Sequence, residues 1–121
     1  MTYESTTVIE SSVAAGVTYT VARMSFGRRL ELMRRIRELT GRIEFLDAGQ
    51  QTGQRMEAAV LRAEIDRLYV MWGLRDIAGL DVDGQRATPE LLAEAGPEDL
   101  FREAVAAVRA ATGLTEAARK N

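Results

Sequence analysis

The sequence contains no cysteine and no histidine. Without cysteine there is no disulfide framework and no thiol chemistry. Without histidine the chain also lacks the commonest general base, and with both missing it lacks the usual ligands of tight zinc sites. Lysine occurs once, at Lys120 beside the C-terminus, which argues against a Schiff-base or other lysine-centred mechanism. No apolar run approaches the roughly 20 residues that a membrane-spanning helix needs. The first residues, Met1-Thr-Tyr-Glu-Ser-Thr-Thr, have no basic stretch followed by an apolar core, so no secretory signal is expected. These absences point to a cytoplasmic protein that is not an enzyme and carries no cofactor or metal.

What remains is an ordinary globular composition. The chain has 121 residues, 46% of them hydrophobic and 28% charged, enough for one domain that folds without a metal or cross-link. Its net charge of −2 is unevenly spread. Residues 23–42 hold seven arginines (23, 28, 29, 34, 35, 37 and 42) against Glu31 and Glu38, a balance of +5. Residues 76–103 hold eight acids against Arg86 and Arg102, a balance of −6. The basic stretch suits nucleic acid, an acidic protein, or the acidic half of the same chain.

The patterning predicts a mainly helical α+β fold. Residues 7–22 read as a β-hairpin turning at Ala14-Ala15-Gly16, with Val17, Tyr19 and Val21 on one face and Thr18 and Thr20 on the other. A two-stranded sheet is marginal alone, so its apolar face must lie on a helix or a partner. Ser25 is a suitable N-cap for a helix over 26–48 that Gly49 follows. Leu30, Met33, Ile36, Leu39, Ile43 and Leu46 recur at helical spacing, and with Phe26 and Leu32 they cover roughly half the circumference, wider than one packed neighbour requires. A second helix over 54–72 follows a short polar connection, which makes the two an antiparallel helical hairpin. Gly73 ends it. Residues 80–87 read as a tight hairpin on Asp83-Gly84. Thr88 and Pro89 open the C-terminal helices over 89–119, with a break at Gly96-Pro97, a stop at Gly113 and a last turn capped by Thr115.

Few residues in this arrangement can carry chemistry. Asp81-x-Asp83-Gly84 resembles the start of a calcium loop but lacks the third ligand and the closing glutamate, so turn chemistry explains it better. Gly49-x-x-x-Gly53 lacks the lysine and the preceding strand of a phosphate loop. Ser11, Ser12 and Ser25 have no basic partner in sight. The arginines Arg28, Arg29, Arg34, Arg35 and Arg37 form a candidate basic face, although aromatic platforms for bases are missing and the chain is acidic overall. A face paired with the chain's own acids, or with an acidic protein, explains them better than nucleic acid does.

The second helix is the most informative segment. Leu61, Ile65, Leu68 and Trp72 make one apolar face, while Met56, Val60, Ala63, Val70 and Met71 make another on the opposite side. Burial on both sides within the domain is one reading. The other leaves the methionine-rich side for a partner, because methionine adapts to varied apolar surfaces. Met33, Met56, Val60, Tyr69, Met71 and Trp72 are the candidate partner-binding residues on these helical wheels, with Tyr69 and Trp72 as anchors if partly exposed.

The run Tyr19-Thr-Val-Ala-Arg-Met-Ser-Phe-Gly-Arg-Arg-Leu-Glu-Leu-Met-Arg-Arg-Ile-Arg-Glu-Leu resembles proteins of tailed-phage and prophage tail gene clusters. So do Ala63-Glu-Ile-Asp-Arg-Leu-Tyr-Val-Met-Trp-Gly-Leu, the block that begins Ile77-Ala-Gly-Leu-Asp-Val-Asp-Gly, and the ending Gly113-Leu-Thr-Glu-Ala-Ala-Arg-Lys-Asn. Over about residues 17 to 121 the chain resembles the phage tail assembly chaperones. That resemblance implies a non-virion protein that holds the aggregation-prone tape measure protein and helps recruit tail tube protein around it. The sequence leaves homo-oligomerisation open, and without a spanning apolar run no membrane partner is expected. Many members of that group also have a longer frameshifted form, and Arg119-Lys120-Asn121 is compatible with a slippery codon run. Two alternatives stand beside it: a structural tail or connector component of the virion, and a nucleic-acid-binding regulator that uses the arginine-rich helix.

Overall fold

A computed structural model describes residues 1–49 and 51–113. The described residues are mainly helical, with a small antiparallel sheet. The expected last turn at Thr115 and residues 119–121 lie outside them. The sequence reads as one domain; the described residues gather into two compact units, one of residues 1–24 and 69–113 and one of residues 25–68.

The first unit is built on a three-stranded antiparallel sheet of β1 (Thr6–Glu10), β2 (Thr18–Ala22) and β3 (Leu74–Ala78), in the order β1-β2-β3. The expected hairpin is β1 and β2, paired with Ile9 opposite Tyr19. Val17, Tyr19 and Val21 are buried and Thr18 and Thr20 half-buried, as the alternation requires. The face that Tyr19 occupies packs on a helix of the same chain. This is α4 (Glu98–Thr112), on which the Tyr19 hydroxyl reaches Glu103 at 2.7 Å.

β3 follows the preceding helix directly and pairs with β2, with a bulge at Thr20/Val21. The loop after it turns at Gly79, whose φ of +82° is strained for any residue with a Cβ. An added Cβ there would also lie 2.0 Å from the carbonyl oxygen of Gly16 in the β1–β2 turn. The small hairpin β4 (Asp81–Val82) and β5 (Gln85–Arg86) turns on Asp83 and Gly84, both at positive φ (51° and 78°), the geometry of a type I′ turn. Asp83 is therefore a turn residue, and Asp81 is the strand residue paired with Arg86. Thr88 caps α3 (Pro89–Ala95) by accepting from the Leu91 amide at 3.1 Å. α4 carries Glu98 and Asp99 in its first turn and Arg109 in its last, matching the helix dipole, and ends at Gly113 in the left-handed region.

The second unit is a helical hairpin. In α1 (Phe26–Asp47) Ser25 Oγ accepts from the Arg28 amide, the cap expected from sequence. α2 (Thr52–Gly73) supplies its residues up to Leu68 to this unit and its last turn to the other. Ile43 of α1 with Ala58 and Leu61 of α2 form a buried seam, and Leu39, Leu46 and Ile65 pack against it. Arg62 pairs with Asp47 across the connection. The pair is exposed and adds at most about 1 kcal/mol, so the seam holds the hairpin.

Candidate protein-binding surface

The structure separates the six candidate residues. Met56 is 66% exposed and Val60 54%, on the same side of α2 as exposed Ala59 and Ala63. Met33 and Met71 are half-buried. Tyr69 and Trp72, which partial exposure would have made anchors, are buried in the first unit. The cause is packing of the last turn of α2 on α4. The Arg109 guanidinium lies 4.7 Å from the centroid of the Tyr69 ring, and the bare Gly73 backbone lets Val108 come close.

The two-sided second helix thus follows both readings, each over half its length. Leu61 and Ile65 pack on α1. On the opposite side Val70 is buried and Met71 half-buried, yet about three to four turns earlier Met56 and Val60 are exposed.

Sequence reasoning also missed a surface. At 100° per residue Phe26, Leu30, Met33, Arg37, Gly41 and Phe45 fall along one stripe of α1, away from buried Leu32, Ile36 and Ile43. Phe26 is 81% and Phe45 75% exposed, and Leu30 is also exposed. A shallow groove over Leu30 and Met33 is edged by Arg34, Arg37 and Glu38. It continues over Gly41, Phe45 and Leu46 to Arg42 and to Glu57 of α2. The signal was present in the width of the apolar face of this helix. Half of that width is the seam, and much of the rest is this stripe.

The five arginines do not make one basic face. Helical periodicity puts Arg34 and Arg37 beside the apolar stripe and Arg28 and Arg35 on another side, with Arg29 apart from both. Arg35 pairs with Glu31 at 2.8 Å. A phosphate backbone would meet only part of this charge at once.

The densest polar cluster is in the first unit, around Glu103 of α4. Its carboxylate accepts from the hydroxyls of Ser11, Ser12 and Tyr19 and from the Ser12 amide at 2.9 Å. The Ser11 hydroxyl in turn accepts from the amides of Val13 and Ala14. Burial pushes the Glu103 carboxyl up, but the hydrogen bonds from Ser11, Tyr19 and Ser12 outweigh it and bring the pKa from 4.5 to about 2. Burial, reinforced by Glu103, pushes the Tyr19 phenol above its ordinary range. These hydrogen bonds tie the β1–β2 turn to α4, so the cluster serves as a latch between them.

The latch has a pH signature. Because Glu103 binds its proton less readily folded than unfolded, its contribution is complete above about pH 4.5 and is lost as pH falls through about 2. Thermal unfolding followed from pH 5 to pH 2 should show a smaller fall in melting temperature for Glu103→Gln than for the wild type.

Among the described residues no group of acids, cysteines or histidines is placed to hold a metal ion, and no helix is long and apolar enough to cross a membrane. No protein-family model, curated protein or solved structure matches the chain.

Proposed function

We propose that this protein is an assembly chaperone of a phage or prophage tail, acting in the bacterial cytoplasm by reversible capture of apolar helical segments of the tape measure protein. It is read as a binding protein and not an enzyme. The observation that carries this reading is the uncovered apolar side of α2 at Met56 and Val60. An exposed methionine beside Val60, with small Ala59 and Ala63 on the same flank, suits a helix laid lengthwise, because short side chains let it approach and a flexible thioether fits different apolar neighbours. The likeness of residues 17–121 to tail assembly chaperones supplies the client. A tape measure chain carries long apolar stripes that nothing buries until the tube forms around it.

Co-expression of the chain with the tape measure protein of its own gene cluster tests the proposal. The wild type should keep the tape measure protein soluble and co-purify with it. Met56→Glu combined with Val60→Glu should abolish co-purification while the helical circular dichroism of the chaperone is unchanged, since both positions are exposed. Mass spectrometry of finished particles separates this function from that of a virion component: a chaperone is missing from them. Retention of the tape measure protein by the double variant, or the presence of the chain in particles, defeats the proposal.

A further inference from the structure

The α1 stripe is a separate surface from Met56 and Val60, and its own charge pattern identifies what fits it. Apolar Phe26, Leu30 and Phe45 are exposed along nearly the whole helix. The charges beside them change sign from end to end. Of the charged residues along the stripe, Arg34 and Arg37 come first and Glu38 and Glu44 follow. A helix that is basic at its start and acidic at its end is complementary to itself when reversed.

We propose that two copies of this protein associate through α1, antiparallel and related by a twofold axis near the middle of the helix. Superposing the helix on its own reverse over Phe26–Asp47 places the axis between residues 36 and 37. Arg34 and Arg37 of one copy then lie within about two residues of the level of Glu38 of the other, roughly 3 Å along the axis. The apolar residues match in the same register. Phe45 comes between the levels of Phe26 and Leu30, and Gly41 between those of Leu30 and Met33. The two Arg37 side chains meet near the axis, a repulsion that the adjacent Glu38 of each second copy offsets.

Gly41 is an independent sign of close approach. It lies in the interior of α1, where glycine costs about 1 kcal/mol relative to alanine. A Cβ added there would meet nothing within 4 Å inside the protomer. Among the described residues nothing is placed to require the missing side chain, whereas a second helix packed at that level gains closer approach from it. A single pair of helices this long buries less than the roughly 1,200–2,000 Å² of a standard stable interface, so the dimer is weak and exchanges readily.

Sedimentation velocity from low micromolar to sub-millimolar concentration tests the pairing. The wild type should pass from monomer to dimer. Arg34→Glu with Arg37→Glu places only acids at the crossing, and Glu38→Arg places only bases there, so each variant alone should associate at least about tenfold more weakly. An equimolar mixture of the two should restore the dimer, because each supplies the charge that the other lost. Gly41→Leu should make the protomer more helical and yet also weaken the dimer, an outcome that a purely structural role for the glycine does not produce. A wild type that stays monomeric throughout overturns the proposal. So does a dimer insensitive to both charge variants, which lies on another surface, and so does a stripe that stays free of self-contact but is protected from hydrogen exchange by a tape measure segment.

Discussion

Replacing Tyr69 with alanine is expected to cost about 3–5 kcal/mol, the usual range for removing a buried aromatic ring. Tyr69 is among the largest fully buried side chains, and its ring also carries the Arg109 guanidinium. The loss therefore combines a cavity with a cation left without its aromatic face. For the 69 residues of this unit, 1 kcal/mol corresponds to roughly 4–8 °C, so unfolding should begin near ambient temperature. Trp72, the sole tryptophan, is buried in the same unit and reports the transition by its fluorescence. Met56→Ala is the contrasting control, expected within about 0.5 kcal/mol of the wild type in urea titrations. If Tyr69→Ala unfolds no more easily than Met56→Ala, the ring is not a core residue and its role as a surface anchor returns.

Gly79→Ala should be nearly as damaging. The backbone at φ +82° strains any L-residue, a penalty of about 1–2 kcal/mol. The new methyl carbon would then stand 2.0 Å from the Gly16 carbonyl oxygen. That neighbour is backbone, so no rotamer change relieves the overlap, and the β1–β2 turn must move away from the loop after β3. A total loss of about 3 kcal/mol or more is expected. Gly84→Ala gives the comparison: its φ is also positive, at 78°, but its Cβ would meet nothing within 4 Å. Melting temperatures that rank the wild type above Gly84→Ala, and Gly84→Ala well above Gly79→Ala, separate the clash from the strain. Equal losses for the two variants leave conformation alone as the cause and remove the close approach at Gly16.

The parts of the fold legible in the sequence are those fixed by local chemistry. Ser25 and Thr88 cap the helices they precede, Asp83-Gly84 makes the turn, and the alternation from Val17 to Val21 gives the central strand. β3 was not legible, for a physical reason. Its buried residues, Leu74 and Ile77, are three apart, since Arg75 is an extra residue in β3 between the partners of Thr20 and Val21 and breaks the two-residue period that announces a strand. With only five residues and no loop before it, β3 gives no strand signal of its own between Gly73 and the hairpin at 80–87.

Candidate surface residues divide along a similar line. Periodicity identified which positions of α2 share a side, but not that its last turn is enclosed by α4, a helix that begins at Glu98. Long-range packing of this kind moved Tyr69 and Trp72 inside and left Met56 and Val60 out. The wheel of α1 carried a stronger message than was drawn from it: an apolar arc too wide for one neighbour was a sign of a second surface, with Phe26 and Phe45 on it.

The sheet draws its strands from distant parts of the chain. β2 ends at Ala22 and its second neighbour, β3, begins at Leu74, while Glu103 closes the latch on Ser11 and Ser12. The helices between can form from local contacts, but the sheet must wait for the C-terminal segments to leave the ribosome. During synthesis the first hairpin therefore stands unfinished, with the inner edge of β2 and the Tyr19 face uncovered. The order of maturation is fixed by chain connectivity: the helical insertion is ready first, and the sheet that brackets it in sequence is completed last.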